Sequence, residues 1–114
     1  MGNSGNVIEA EGLPGGENSV RFDGHAYGAN VSFFITRNLP GTGPGLHKHP
    51  YEETFIILEG RGRYTVGEED IEAGEGEIVV VPAETPHKFV NIGDGRLRSV
   101  NIHPRERMAT EWLE

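Results

Sequence analysis

The chain contains no cysteine. It therefore has no disulfide, no thiolate ligand and no cysteine nucleophile, and any bound metal must be held by imidazole and carboxylate. The absence does not choose a compartment. Basic residues are also few: 10 Lys and Arg stand against 18 Asp and Glu, for a formal net charge of −8. An acidic surface repels phosphate backbones, so no nucleic-acid partner is expected. Arg61, Arg63, Arg96 and Arg98 are read as solvated faces of β-hairpins rather than as anion sites. No apolar run approaches the ~20 residues needed to cross a bilayer, and no membrane partner is expected. The opening Met1-Gly-Asn-Ser-Gly-Asn6 lacks the basic-then-apolar order of a secretory signal, and Asn6 stands where a myristoylation pattern wants Ser or Thr. A soluble cytoplasmic protein is the expectation.

What remains is a β-rich text. The 114 residues are enough for one domain with a real core. Residues 1–18, rich in Gly, Asn and Glu, read as an N-terminal arm or edge strand. Residues 19–104 break into short runs of Val, Ile, Phe, Tyr and Thr with turn signals between them, the mark of an all-β sandwich or barrel. Strands are predicted over 19–22, 31–37, 45–49, 53–59, 61–67, 70–72, 77–81, 87–92 and 96–102. Glu59-Gly60, Gly67–Asp70, Ala73–Gly76 and Gly93-Asp94-Gly95 are the turn candidates. The tail, 105–114, follows Pro104 and forms either one or two helical turns or an extended arm, packing on the barrel or on a partner subunit.

Alternation along one strand bears on assembly. If Glu53 points inward, Phe55 and Ile57 follow it, and Ile56 and Leu58 point outward needing cover. Val79–Val81 repeats the two-sided pattern. A homodimer packed through these strands and the Trp112 tail is expected.

Three of the five histidines fall in two segments. His47 and His49 are two apart, which on a strand places both imidazoles on one face. Pro50-Tyr51 can turn the chain so that Glu53 faces the same point, and His87 closes the set if its strand lies alongside. Imidazole and carboxylate suit first-row divalent metals, and four protein ligands leave up to two open positions on a six-coordinate ion. Each residue alone is weak evidence; their joint spacing carries the reading. Phe89 shares a face with His87 and is expected to wall the pocket, as is Phe33 or Phe34. Tyr51 is read as a phenol near the ligands or as a rim or subunit contact. His25 is expected to be exposed, and His103 to make a structural bond to nearby backbone.

These segments resemble the cupin family. Its first motif, G-x5-H-x-H-x3,4-E-x6-G, is met by Gly41, His47, His49, Glu53 and Gly60; its second, G-x5-P-x-G-x2-H-x3-N, by Gly76, Pro82, His87 and Asn91. Glu84 departs, standing where the family has a turn glycine, so it must take a costly backbone conformation or sit in an altered turn. The resemblance implies an all-β, antiparallel double-stranded β-helix, the jelly-roll barrel. It implies His47, His49, Glu53 and His87 as ligands of one divalent transition metal ion, Mn, Fe, Co, Ni, Cu or Zn. The family hosts dioxygenases, isomerases, decarboxylases, epimerases, storage proteins and sensors, so the fold does not fix the activity. The expectation is a metal-dependent enzyme on a small-molecule substrate, dioxygenation first and isomerisation or decarboxylation next, with Glu53 as the catalytic base. The alternatives are a non-catalytic ligand-binding or sensing module and a barrel that the metal merely staples.

Overall fold

A computed structural model describes residues 5–114. Ten strands form: β1 (Ser19–Phe22), β2 (Ser32–Asn38), β3 (His47–Lys48), β4 (Glu53–Glu59), β5 (Arg61–Val66), β6 (Glu69–Gly74), β7 (Ile78–Val81), β8 (His87–Asn91), β9 (Leu97–His103) and β10 (Glu111–Trp112). They make two antiparallel five-stranded sheets, ordered β1-β2-β9-β4-β7 and β10-β3-β8-β5-β6. The chain passes repeatedly between the sheets, which is the double-stranded β-helix that the motifs imply. No helix of the described residues is long and apolar enough to cross a membrane.

The differences from the expected elements have local causes. The strand expected over 45–49 shrinks to two residues; Pro50, just beyond it, has no N–H to donate to a ladder. Gly67 and Glu68 alone close the β5–β6 hairpin, because Val66 already pairs with Glu69. Gly67 has φ 62° at the first central position, the place that a two-residue type II′ turn gives to glycine. The tail takes the extended alternative: β10 pairs with β3, Trp112 opposite His47.

Alternation along β4 runs as expected. Glu53, Phe55 and Ile57 are buried while Leu58 is 48% exposed; on β7, Val79 and Val81 are buried while Ile78 and Val80 are 62% and 59% exposed. The inward set joins Tyr64, Phe89 and Leu97 in one apolar cluster. Phe55 meets Tyr64 and Phe89 edge-on at centroid distances of 5.3 and 5.8 Å, a favoured aromatic geometry. The arginines do face solvent, paired to Glu72, Glu59 and Glu17.

Glu84 resolves the motif departure. Its φ is 61°, the one positive value for a non-glycine among the described residues. The turn keeps its shape because Glu84 N–H donates to His49 C=O at 2.7 Å. An L side chain in this region costs roughly 1–2 kcal/mol. Glu84→Gly should therefore raise stability by about 1 kcal/mol and the melting temperature by a few degrees. The exposed Lys48 pair at 3.7 Å that it deletes is worth little. An unchanged or lower melting temperature in thermal denaturation would show that the turn carries no strain.

Candidate metal centre

His47 lies on β3, His49 just beyond it, Glu53 at the first position of β4 and His87 at the first position of β8. β3 and β8 are neighbours with His47 directly opposite His87, so residues 40 apart in sequence meet ring to ring at 4.3 Å. One ligand-type atom from each of the four residues lies within 4.8 Å of the others, and all four residues are buried. Glu52 points the other way, into solvent.

The imidazoles are oriented from behind. His47 Nδ1 lies 2.7 Å from Gly45 C=O, and His87 Nδ1 lies 2.8 Å from Thr85 C=O. His49 Nδ1 lies 3.1 Å from Ala109 C=O and 3.2 Å from Thr110 Oγ1. A carbonyl only accepts, so each ring carries its hydrogen on Nδ1 and turns Nε2 inward. His49 Nε2 and His87 Nε2 are each 3.0 Å from Glu53 Oε1. A lone pair cannot rest that close to a carboxylate oxygen without positive charge between them, supplied by added protons or by a cation. Two ligands bound at right angles about 2.1 Å from one ion lie about 3.0 Å apart, so the donor set fits a divalent metal.

Electrostatics agree. Burial alone would push the Glu53 carboxyl up, but its contacts with His103, His49 and His87 outweigh that and hold it far below the usual carboxylate range. Burial lowers the His47 pKa, which keeps it a neutral donor at neutral pH. Both shifts give one sign. His47 binds fewer protons folded than unfolded, so its contribution falls as pH drops below its ordinary value of 6.5; that of Glu53 is present above 4.5 and is lost as pH falls further. Protons also compete with metal for the same atoms. The metal-loaded protein should thus lose melting temperature between pH 7 and 5 more steeply than the metal-free one. Parallel curves would mean that no metal leaves.

His103 falls outside its expected role, and Tyr51 takes one of its two. His103, read as a residue bonded to backbone, is 1% exposed and sits against the cluster, its Nε2 3.2 Å from Glu53 Oε2. The approach is ionic in distance but poorly aligned as a hydrogen bond. Tyr51 is buried and takes the ligand-side alternative, not the rim: it stacks on His49 at 5.1 Å, and its oxygen lies 2.5 Å from His103 Nδ1. Ala109 N–H donates to that oxygen at 3.1 Å; His103 Nδ1 is the one acceptor for the phenol hydrogen among the described residues, so His103 keeps its own hydrogen on Nε2, toward Glu53. Period-2 alternation along β9 puts His103 on the face of Leu97, Ser99 and Asn101, but no local signal said which face was inner.

The cluster opens on a cavity of about 350 Å³ walled by Phe34, Phe89 and Trp112. Phe34, not Phe33, is the β2 aromatic that faces it; Phe33 stacks on Phe22 at 4.6 Å. His25 is exposed. Asn91 does structural work: its amide donates to Asn38 and Gly95 carbonyls at 2.8 and 2.7 Å, tying the β8–β9 loop to the end of β2.

Comparisons with known proteins agree with this architecture. The cupin domain model matches residues 34–103. An uncharacterized protein of Methanocaldococcus jannaschii is 42% identical over 72 residues, which are 60% of this chain and 58% of that protein. An uncharacterized protein of Streptomyces coelicolor is 32% identical over 87 residues, 69% of this chain and 83% of that one. Among solved structures, Bacillus subtilis oxalate decarboxylase, studied for its Mn(II) centres, superposes with a TM-score of 0.81 at 23% identity, over 99% of this chain and 34% of that chain. Lactobacillus farciminis oxalate decarboxylase in complex with formate gives 0.78 at 22%, over 88% and 32%. The chain thus spans less than two thirds of the archaeal relative and about a third of each decarboxylase chain. At these identities the decarboxylases speak to the fold. With the family model covering more than half of its length, this chain belongs to the cupin domain family.

Proposed function

We propose that this barrel is a metal-dependent enzyme acting on a small organic substrate, with dioxygenase-type chemistry as the leading reaction. One observation carries the reading: three inward Nε2 atoms and the Glu53 carboxylate converge beside a cavity large enough for a small molecule. His47, His49, Glu53 and His87 would hold the ion, which, when bound, supplies Lewis-acid polarisation of a substrate at its open positions. Glu53 borders the cavity and would serve as the base only once detached from the ion and from the histidines that hold its carboxyl acidic; His103 Nε2 faces its second oxygen. Phe34, Phe89 and Trp112 exclude water and orient an apolar substrate body.

Reconstitution under anaerobic conditions with Mn, Fe, Co, Ni, Cu or Zn, followed by oxygen-uptake measurements on a panel of phenols, diketones and thiols, tests the reading. Uptake with one metal supports it, and silence across the panel removes the oxygenase version. A thermal-shift hit recovered chemically unchanged would favour the second reading, a ligand-binding or sensing module.

We also propose a homodimer formed through the outer face of the first sheet. Ile35, Val100, Ile56 and Ile78 lie in one row across β2, β9, β4 and β7. Exposed Val80 and Leu58 extend the patch. Ile78→Lys with Val80→Lys should turn a dimer into a monomer by light scattering. A monomeric wild type would refute the assembly.

A further inference from the structure

The interior of the barrel is divided. On one side Phe55, Ile57, Val79, Val81 and Leu97 make an apolar core. On the other, the inward positions of β2 and β9 carry Ser32, Thr36, Asn38, Ser99, Asn101 and His103, each 6% exposed or less. Buried polar side chains are disfavoured unless each finds a partner. This row finds its partners in order: Thr36 Oγ1 and Ser99 Oγ are 2.6 Å apart, and Ser99 Oγ–H donates to Asn101 Oδ1 at 2.7 Å. Since the single Ser99 hydrogen goes to Asn101, Thr36 is the donor to Ser99. The relay engages the Asn101 carbonyl and fixes the side chain. Its amide NH₂ donates to no protein group among the described residues, and Asn101 lines the cavity.

Position follows from the strand. Asn101 and His103 share a face of β9 two residues apart, which is roughly 7 Å at the rise of an antiparallel strand. His103 touches Glu53. The free amide therefore stands about one strand repeat along the cavity wall from the carboxylate cluster. Among the described residues no lysine or arginine lines this cavity, and Glu53 is its one acidic residue. A divalent ion with Glu53 leaves a single positive charge, enough for one anionic group but not for a second at the distal end.

We infer that the cavity takes a neutral or singly charged organic ligand that reaches the metal at one end and offers a carbonyl-type acceptor to the Asn101 amide at the other. The inference rests on the metal-centred reading above and adds the substrate class. Phe34 and Phe89 supply the apolar walls for the body of such a molecule, and Asn101, clamped by Ser99 and Thr36, discriminates among ligands that bind the metal equally well.

Three catechols matched at the chelating end test this in the Co(II)-loaded full chain, with affinity read from the visible spectrum. 4-Acetylcatechol carries the distal acceptor, 4-ethylcatechol lacks it, and 3,4-dihydroxybenzoate places a second anion there. Wild type should prefer the acetyl over the ethyl compound beyond their ratio in Asn101→Asp by about fivefold to a hundredfold, the range for pairing a buried polar group or leaving it unpaired. Asn101→Asp preserves shape and the Ser99 bond while replacing the donor by an acceptor. Differences in intrinsic chelation appear in both proteins and cancel in the ratio. Asn101→Ala should erase the preference as well, and thermal melts verify that each variant is folded. The benzoate should bind more weakly than the acetyl compound in wild type. Equal acetyl-to-ethyl ratios in wild type and both variants, or a benzoate that binds best, would overturn the inference while leaving the metal reading intact. If no catechol perturbs the Co(II) spectrum of a protein shown to hold cobalt, the metal has no open position, and the proposed function fails together with the inference.

Discussion

Replacing His49 by alanine should weaken metal binding by more than about a hundredfold, while His25→Ala should leave it unchanged. His49 is 3% exposed; its Nε2 is 3.0 Å from Glu53 Oε1, and its ring is clamped by the tail behind and Tyr51 on its face. Removing it deletes one of four donors and unfixes the carboxylate oxygen that it faces. Loss of a partner merely behind a ligand costs about 10–100-fold, so loss of the ligand should exceed that. His25 is exposed on the short turn Gly24–Ala26 and borders nothing in the cluster. Equilibration against a competing chelator, with elemental analysis of the protein fraction, gives the two affinities. His49→Gln, which keeps more of the volume, separates a lost ligand from a collapsed wall. Similar affinities for His49→Ala and His25→Ala would show that the metal, if bound, sits elsewhere.

Ending the chain after Met108 should cost about 10–100-fold in metal affinity, although no residue thereby removed is a proposed ligand. Ala109 C=O and Thr110 Oγ1 are the groups behind His49 Nδ1, and Ala109 N–H holds the Tyr51 phenol that bonds His103. β10 lays Trp112 against His47 at 4.8 Å, and Leu113 N–H donates to Leu46 C=O at 2.9 Å. Without this segment, His49 can rotate, its tautomer is no longer set, and the cavity mouth loses a wall. Thr110→Val should cost much less, since the Ala109 carbonyl remains. Trp112 is the only tryptophan, so its fluorescence reports directly whether metal addition alters the tail. By linkage, a metal that binds more tightly when the tail is docked must also hold the tail more tightly, and amide exchange over 109–114 should slow on loading. An undiminished affinity in the truncated chain would reduce the tail to packing.

Much of this molecule can be read from its sequence because strand periodicity is local. Glu53, Phe55 and Ile57 face inward, and Ile56 and Leu58 outward, as a two-residue period requires once one facing is chosen. Positions where the backbone needs special φ also show: Gly41, Gly60 and Gly76, fixed in the motifs, all have positive φ, and the misfit at Glu84 is a real left-handed residue. The role of His103 is not legible in the sequence, because a histidine at a strand end looks alike whether it meets backbone or a buried carboxylate 50 residues away. Tyr51 reads equally as a phenol beside the ligands or a rim contact for the same reason, and the structure takes the first. Its partners are on β9 and in the tail, and no pattern near residue 51 announces either.

The sequence by itself determined the strand text, the apolar and polar faces, and a four-donor set spaced for one ion, because side-chain direction and turn chemistry depend on neighbours a few residues apart. The tertiary structure alone decided that β3 lies against β8, bringing His47 and His87 together, and that the tail returns to orient His49. It also decided that a polar row on β2 and β9 lines the cavity beside the cluster. Those contacts join residues 40 to 63 apart, and they arise from burying two sheets against each other, a driving force that is non-directional and leaves no mark on any single stretch of chain.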